Sequence, residues 1–208
     1  MPVIALVGNK GGAGKTTLSV NLTAGLAKQS STILVDADPQ GSSLQWNAFS
    51  DSEDAITVVE ASDELNQQLS DLSLKYDYVV VDCPPSVHAV QTIKVLEMCD
   101  MALIPVQPSP VDLWATVHTE KAINDARQTN PNLQATLVIN QLEARTTLSR
   151  VVRDALSEIE LPVAQTALRR RAIFRNSVLE GKNVFETGSR GIDAVREIEE
   201  LIHEVIMV

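Results

Sequence analysis

One stretch near the amino terminus carries residue types that bind phosphate. It reads Lys10-Gly-Gly-Ala-Gly-Lys-Thr-Thr17, after an apolar run at 3–7 and before a proline-free segment at 17–28. A strand, a glycine-rich turn and a helix form the context that a phosphate-binding loop requires. The glycines let successive backbone N–H groups point inward, and the helix start adds its partial positive charge. This stretch therefore predicts a site for nucleotide phosphates.

Individual positions of this loop have separate expected roles. Lys15 is expected to reach the terminal phosphates, and the Thr16 hydroxyl is expected to be a ligand of Mg²⁺. The usual pattern begins with a glycine where this chain has Asn9, and an additional lysine, Lys10, follows. A glycine-rich turn with a surface lysine is the structural alternative. The expected nucleotide contacts are Lys10, Gly11, Gly12, Ala13, Gly14, Lys15, Thr16 and Thr17.

The rest of the chain alternates strand and helix patterns that must position this loop. Strands are predicted at 3–8, 32–36, 56–60, 78–82, 101–106 and 133–139, with a short one near 163–166. Helices are predicted at about 14–28, 43–47, 63–74, 111–128, 146–158, 170–180 and 189–206. Several strands are continuous apolar runs, which is typical of strands buried on both faces. The alternation predicts a single α/β domain over residues 1–208, with a mostly parallel twisted sheet and helices on both faces.

Three aspartates follow two of the predicted strands. Asp36 and Asp38 come after the second strand, and Asp82 ends the strand at 78–82. Ligands of parallel sheets bind at the carboxyl ends of the strands, so these carboxylates are expected beside the phosphate loop. Asp82 and Asp36 are expected around Mg²⁺, with Asp36 also supporting the loop geometry, and Asp38 is expected to position the attacking water. The alternative role for any one of them is a helix cap or a turn.

Composition limits the classes of protein to which the chain can belong. It has 208 residues, 44% of them hydrophobic, which is enough for one well-packed domain. The 3% aromatic content argues against a stacking surface for single-stranded nucleic acid. Cys83 and Cys99 form no CxxC pair and are interpreted as core residues, and His88, His118 and His203 show no metal-ligand spacing. Without a long apolar run or a signal-peptide pattern, a cytoplasmic location is expected.

The net charge of −10 is unevenly distributed along the chain. Residues 1–127 hold 7 basic against 16 acidic residues, whereas 128–208 hold 10 against 11. Seven arginines and three acids lie within 145–175, so a basic face on an acidic body is possible. Phosphate contacts need Lys or Arg without base-reading geometry, which suits non-specific binding of double-stranded DNA. The expected DNA contacts are Arg169, Arg170, Arg171 and Arg175, and the alternative is a solvated basic turn or salt bridges with nearby glutamates.

Four motifs in order resemble those of the ParA/MinD family of ATPases. Lys10-Gly-Gly-Ala-Gly-Lys-Thr-Thr17 resembles the deviant phosphate loop, and Asp36-Ala-Asp-Pro-Gln-Gly-Ser42 and Asp82-Cys-Pro-Pro-Ser86 resemble the second and third motifs. Pro105-Val-Gln-Pro108, Asn140 and residues 181–186 also match, so the resemblance covers nearly the whole chain. It implies a single-domain P-loop NTPase that hydrolyses ATP with Mg²⁺. Hydrolysis would be slow alone and faster with an adaptor or ParB-like partner.

The resemblance also implies how subunits and residues act. Two subunits would form a homodimer around two ATP molecules, and Lys10 of each would reach phosphates held by the other. This makes Lys10, Lys15 and Asp38 the expected catalytic residues. Asn140 is expected to hydrogen-bond the adenine edge, with an Asx cap after the strand as the alternative. ParA-like ATP dimers bind DNA and move a cargo over the nucleoid, such as a plasmid, a chromosome region or a carboxysome.

Two other kinds of protein in this superfamily are the alternatives. MinD-like members dock on membranes through a basic amphipathic carboxyl-terminal helix. Here the polar face of the last helix carries four glutamates against one arginine, so packing on its own sheet and no stable membrane binding are expected. The alternative that the chain is a metabolic enzyme has even less support. Dethiobiotin-synthetase-like chains lack the Lys-Gly-Gly start, and Cys83 and Cys99 do not support the shared cluster of iron-protein reductases.

Overall fold

The computed structural model describes residues 2–52, 55–143 and 159–207. One sheet contains β1 (Val3–Leu6), β2 (Thr32–Asp36), β3 (Thr57–Glu60), β4 (Tyr78–Asp82), β5 (Met101–Val106) and β6 (Gln134–Ile139). The helices are α1 (Lys15–Ala27), α2 (Ser42–Ala48), α3 (Leu65–Ser73), α4 (Val90–Leu96), α5 (Pro110–Ala126), α6 (Ala172–Leu179) and α7 (Ile192–Val205). Two 3₁₀ turns, Val184–Glu186 and Gly188–Gly191, precede α7.

The strands are parallel and lie in the order β3-β2-β4-β1-β5-β6. The central strand β1 pairs Leu6 with Asp82 on one side and with Leu103 on the other. Strand β2 pairs Asp36 with the same Asp82. This register brings the carboxyl ends of β1, β2 and β4 together, at the edge where the phosphate loop begins. The predicted α/β architecture with a parallel sheet is confirmed.

Alternate residues of each strand pack on opposite faces of the sheet, and helices cover both faces. In β1, Val3 and Ala5 join the apolar cluster that includes residues of α3, α4 and α5. Ile4 and Leu6 join the cluster that includes residues of α1 and α7. This burial on both faces is the reason why the strands appear in the sequence as continuous apolar runs. Cys83 and Cys99 are buried in the first cluster, as expected.

Some elements differ from the sequence prediction. Helix α4 was not expected, and the strand expected near 163–166 is reduced to a single bridge between Val163 and Leu137. The helix expected at 170–180 begins only at Ala172, because Arg171 has an extended backbone with φ −113° and ψ 137°. The helix predicted at 146–158 lies outside the described residues.

The last helix, α7, packs on the protein's own sheet, as expected. Ala194, Ile198, Leu201 and Ile202 are buried. Gly25 of α1 permits the close approach of the two helices, because a Cβ atom there would lie 2.6 Å from Ile202 Cδ1. Within the described part of the chain, no helix is long and apolar enough to cross a membrane.

In the first half of helix α5, polar side chains are buried and apolar side chains are exposed, the reverse of what is found in α7. Its inner face carries Asp112, Thr116 and Thr119. The Thr116 hydroxyl donates to the Asp112 carbonyl, and the Thr119 hydroxyl to the Ala115 carbonyl, so both are satisfied within the helix. The outer face exposes apolar side chains instead. These form the α5 stripe, which consists of Val111, Trp114 and Val117.

Candidate nucleotide site

The phosphate loop joins β1 to α1, and its shape depends on glycine. Gly12 and Gly14 have φ values of +80° and +94°, in the left-handed region that favours glycine. Gly14 is the cap residue of α1 and provides no side-chain hydrogen bond to the first turn. The first N–H groups of a helix have no partner within the helix. An anion placed here can therefore accept hydrogen bonds from the start of α1.

Lys15 is the first residue of α1, and its side chain is buried within the loop. Its Nζ donates to the carbonyl oxygen of Lys10 at 3.2 Å. Burial lowers the pKa of Lys15, while the Asp82 carboxylate acts in the opposite direction. Burial disfavours an isolated charge, and a bound anion would offset that cost. The geometry thus suits Lys15 to bind a phosphate group.

Asp82 ends β4, and its side chain is fully buried. Its carboxylate accepts from Ser43 Oγ at 2.8 Å, from Ser19 Oγ at 3.1 Å and from the Thr16 side chain. Burial raises the pKa of Asp82 to about 6, although the bonds from Thr16 and Ser43 act to lower it. A divalent cation would supply the counter-charge, and a hydroxyl and a carboxylate are oxygen ligands that Mg²⁺ accepts. The residues present therefore fit Mg²⁺.

A metal site made by protein side chains alone is a different case. No group of three or more His, Cys, Asp or Glu side chains in the described ranges could hold a metal ion. Mg²⁺ usually keeps several waters and takes only one or two carboxylates plus phosphate oxygens. The pair Thr16 and Asp82 suits such a nucleotide-dependent site. His88, His118 and His203 are exposed, in agreement with their interpretation as surface residues.

The two aspartates after β2 have different surroundings. The buried Asp36 carboxylate accepts from the backbone N–H groups of Ser43, Leu44 and Asp38 at 2.8, 3.0 and 3.2 Å. Burial raises the pKa of Asp36, and these backbone bonds act to lower it. Asp36 thus fixes the turn and the start of α2, and its role as a Mg²⁺ ligand stays a prediction. Asp38 is half-buried and accepts from the Gln40 N–H at 3.0 Å, and its role in positioning water also stays a prediction.

Side-chain amides from the ends of β5 and β6 hold the carbonyl groups of the phosphate loop. Asn140 Nδ2 donates to Ala13 at 2.8 Å, and Gln107 Nε2 donates to Gly12 at 2.5 Å. Gln141 Nε2 adds a longer bond of 3.4 Å to Gly12, and its backbone N–H donates to Asn140 Oδ1 at 2.9 Å. Asn140 is therefore bonded to the loop and to its own turn, and its contact with adenine stays a prediction. Sequence reasoning missed the role of Gln107 and Gln141, because their partners are remote in sequence.

Lys10 lies on the outer part of the phosphate loop and forms an ion pair with α5. Its Nζ lies 2.9 Å from Asp112 Oδ2, with side chains that are 40% and 4% exposed, respectively. The Ser109 hydroxyl donates to the same carboxylate oxygen. Sequence reasoning missed Asp112, because a single acidic residue in a helix gives no indication of a partner 102 residues away.

Three of the four arginines expected to contact DNA, all except Arg175, form salt bridges with acidic side chains of the described residues. Arg171 Nη2 lies 2.7 Å from Glu197, and its Nη1 lies 2.9 Å from Asp193. The hydrogen bond with Glu197 raises the pKa of Arg171. Arg170 Nη1 lies 2.7 Å from Glu143. The salt bridges that the sequence allowed as the alternative are thus present, while DNA binding by these side chains stays a prediction.

The arginines are also neighbours of the phosphate loop. Arg169 Nε lies 3.8 Å from Glu197, and Arg175 is exposed on α6. All four arginines line one cavity beside the start of α1. The other residues that line it are Gly14, Thr17, Leu18, Asn140, Gln141 and Phe174. The basic segment is therefore part of the rim of the candidate nucleotide site.

The fold and the site define an α/β protein that binds nucleotide phosphates beyond its central strand, with oxygen ligands for Mg²⁺ beside them. A model of the CobQ/CobB/MinD/ParA nucleotide binding domain matches residues 4–184. The chain belongs to this family.

Individual relatives extend the comparison. The maintenance of carboxysome distribution protein A of Halothiobacillus neapolitanus is 45% identical over 206 residues, which cover 98% of this chain and 95% of that protein. An ATP complex of an McdA variant from Cyanothece has a TM-score of 0.82 at 16% identity, covering 99% of this chain and 96% of the other. MinD of Pyrococcus horikoshii with Mg-ADP has a TM-score of 0.75 at 19% identity, covering 98% and 96%. These two structures share the fold of this chain.

Proposed function

We propose that this protein is an ATPase that dimerises with ATP, binds DNA without sequence preference and positions a large cargo. The observation that carries the proposal is the convergence of Lys15, Thr16 and Asp82 at one edge of the sheet, with Lys10 beside them. A carboxysome is the proposed cargo, because a relative with 45% identity is named for carboxysome distribution. An adaptor protein would stimulate hydrolysis and connect the ATPase to that cargo.

The positions of the side chains support the following proposed chemistry. Backbone N–H groups of the loop and the Lys15 ammonium bind the phosphates and orient them. Thr16 and Asp82 would hold Mg²⁺, which supplies positive charge to the phosphate oxygens. Asp38 accepts a hydrogen bond from the attacking water and directs it toward the terminal phosphate. Asp36 keeps the turn that carries Asp38 in place.

Lys10 and the α5 stripe support the proposed dimerisation. Lys10 would stabilise the charge on the phosphates of a second subunit, in the way that an arginine finger acts in trans. Val111 of the α5 stripe precedes Asp112, the residue to which Lys10 is bonded. A second copy that receives Lys10 from this position lies next to the first turn of α5, where the α5 stripe begins. Burial of these apolar side chains would stabilise the dimer.

DNA binding is assigned to the arginines on the rim of the site. Arg169 and Arg170 have side chains that are 59% and 54% exposed, and Arg175 is exposed beside them. Arg171 is 22% exposed and bonded to Glu197, so it contributes least. Two subunits double the number of phosphate contacts, and each contact adds about −0.9 to the salt dependence of binding. Retention on DNA should therefore require ATP and decrease steeply with salt.

Hydrolysis is tested with Asp38→Ala. This variant should bind ATP and form the ATP dimer with wild-type affinity, but lose turnover by about 10²-fold or more, because the water is no longer oriented. Asp51→Ala, a change of the same type at an exposed loop residue, is the control and should hydrolyse ATP normally. Loss of ATP binding by Asp38→Ala in an equilibrium assay would contradict the assigned role.

Assembly is tested with Lys10→Ala. The phosphate cradle and Lys15 remain, so ATP should still bind, whereas sedimentation with ATP should show mainly monomer. A variant that dimerises and hydrolyses ATP like the wild type would remove Lys10 from the mechanism.

DNA binding is tested with Arg170→Glu combined with Arg175→Glu. Arg171 is left unchanged, because a carboxylate there would face Glu197 and destabilise the fold. The double variant should lose DNA retention and keep ATP binding. Arg196→Glu, an exposed change of the same sign on α7, is the control. Retention of the wild type that is equal with ATP, with ADP and without nucleotide would refute the coupling.

The cargo is tested in the host cell. Deletion of the gene should abolish the even spacing of carboxysomes, and Asp38→Ala should not restore it. Normal spacing without the gene would exclude this cargo and leave a plasmid or a chromosome region.

A further inference from the structure

Lys10 is bonded to its own subunit in this structure, although the proposed function requires it to act on a second one. We propose that Asp112 is a positioning residue that retains Lys10 on its own subunit and releases it when the ATP dimer forms. The inference rests on the proposed trans role of Lys10. It makes the first turn of α5 a control element for dimerisation.

The contacts of Asp112 show why it retains the lysine. Its side chain is only 4% exposed, so its carboxylate is largely removed from water. Lys10 Nζ, at 2.9 Å, supplies the counter-charge, and the Ser109 hydroxyl donates to the same oxygen. A buried carboxylate that lost this cation would be left with an uncompensated charge. The subunit alone therefore favours the paired position of Lys10.

The paired position conflicts with the proposed trans contact. The phosphates of a second subunit and the Asp112 carboxylate are both anions that compete for one ammonium group. A phosphate brought to Lys10 while Lys10 is still paired would lie near this carboxylate, and the two like charges would repel each other. Asp112 also lies on the inner face of α5, whereas the α5 stripe lies on the outer face. Lys10 must therefore break its ion pair with Asp112 before it can contact the phosphates of a second subunit at the outer face of α5.

ATP can loosen this arrangement through the backbone of the loop. The carbonyl of Lys10 accepts from Lys15 Nζ at 3.2 Å, and the carbonyl of Gly12 accepts from Gln107 Nε2 at 2.5 Å. A phosphate that binds Lys15 competes with the Lys10 carbonyl for its ammonium. The same event therefore removes one contact that holds Lys10 in place. Binding of ATP phosphates to the loop is thereby coupled to the release of Lys10 from Asp112.

The expected size of the effect follows from population arithmetic. The apparent affinity of a step is reduced by the fraction of molecules in the competent state. For a pair in which the lysine is partly solvated, the retained state is favoured by about three- to tenfold. A dimer uses two Lys10 side chains, so this factor enters the dimerisation constant twice.

The test is Asp112→Asn, which keeps an acceptor for Ser109 and removes the charge. The ATP concentration for half-maximal dimerisation should fall about three- to tenfold, whereas the affinity of the monomer for ADP should not change. Asp125→Asn, at an exposed position of the same helix, is the matched control and should behave like the wild type. In the Lys10→Ala background, Asp112→Asn should leave dimerisation unchanged, because its effect depends on Lys10.

Other outcomes overturn the proposal. If Asp112→Asn dimerises at the same ATP concentration as the wild type, Asp112 does not retain Lys10. If it needs a higher ATP concentration, Asp112 directs Lys10 toward the partner. If Lys10→Ala dimerises normally, the trans function fails. The ion pair can then still be measured from the non-additive unfolding free energies of the two variants and their combination.

A second measurement needs no Asp112 variant. In wild-type protein without ATP, acetylation of the Lys10 amine should be slower than acetylation of the exposed Lys75, because Lys10 is held by Asp112. Mass spectrometry of the labelled protein gives both rates. Equal rates would overturn the proposal even if Asp112→Asn failed to fold.

Discussion

Helix α7 and the first half of α5 both carry apolar residues on one face, but within the described residues only the apolar face of α7 is buried. In α7, Ile198 and Leu201 are buried in the apolar cluster that also contains residues of α1 and of the sheet. In the first half of α5, Trp114 is 70% exposed, while Asp112 is buried. Helical spacing of apolar residues thus identifies a face that is expected to be buried. The spacing does not show whether the same chain or another molecule buries that face.

The largest effect is expected in α7. Leu201 is fully buried, so Leu201→Ala should lower the free energy of unfolding by about 3 kcal/mol, through lost burial and the cavity left behind. Urea denaturation should give the same loss with and without ATP. A loss below about 1 kcal/mol would break the comparison, by showing that α7 contributes little to the core.

In α5, truncation of an apolar side chain should weaken dimerisation and leave the stability of the subunit nearly unchanged. Trp114→Ala should weaken the ATP dimer by about 2 kcal/mol, as expected for a tryptophan in the centre of an interface. The unfolding free energy of the subunit should change by less than about 0.5 kcal/mol, because the side chain is exposed there. Sedimentation equilibrium and urea denaturation measure the two quantities. Leu74→Ala, at an exposed apolar residue after α3, is the control that should alter neither.

A polar residue on the inner face of α7 sharpens the comparison with Asp112. Glu197 is buried and accepts two hydrogen bonds from the Arg171 guanidinium. Glu197→Gln should therefore destabilise the subunit by about 1–2 kcal/mol, independently of ATP. Glu199→Gln, at an exposed position of the same helix, should be nearly neutral. If Glu197→Gln changed the ATP dependence of dimerisation, the two helices would not differ in the way described.

The smallest effect is expected at the end of α7 and depends on pH. Burial acts to raise the pKa of Glu204, but hydrogen bonds from Thr166 and Gln165 outweigh it and hold the pKa below its usual value. A folded pKa below the unfolded value of about 4.3 stabilises the protein above that pH, and the stabilisation is lost as the pH falls through the folded pKa. Glu204→Gln should thus be slightly destabilising at pH 7 and progressively less so below about pH 4. A difference that stayed constant with pH would disprove this cause.

The sequence was sufficient for the features that depend on local pattern. The apolar runs predicted the strands because both faces of the sheet are covered, and the parallel register then placed Asp36 beside Asp82. The phosphate loop was predictable because its glycines and Lys15 are adjacent in sequence. Helix α4 was missed because it has only seven residues, and it follows a segment that contains Pro84 and Pro85.

The features that were missed depend on partners remote in sequence. Asp112 lies 102 residues from Lys10, and Glu197 lies 26 residues from Arg171. An acidic residue in a helix has the same local pattern whether it is solvated or paired. The basic segment was therefore recognised as a cluster of charge, whereas its salt bridges required the fold.

The different surroundings of Trp46 and Trp114 have an optical consequence, since these are the two tryptophans of the chain. The Trp46 indole is buried and donates from Nε1 to the Lys182 carbonyl at 3.1 Å, whereas Trp114 is in contact with solvent. The emission of Trp46 should lie at shorter wavelength and resist quenching by iodide, and that of Trp114 should lie at longer wavelength and be quenched. Loss of the short-wavelength component would then report unfolding. Protection of the long-wavelength component on addition of ATP would report assembly, without any attached dye.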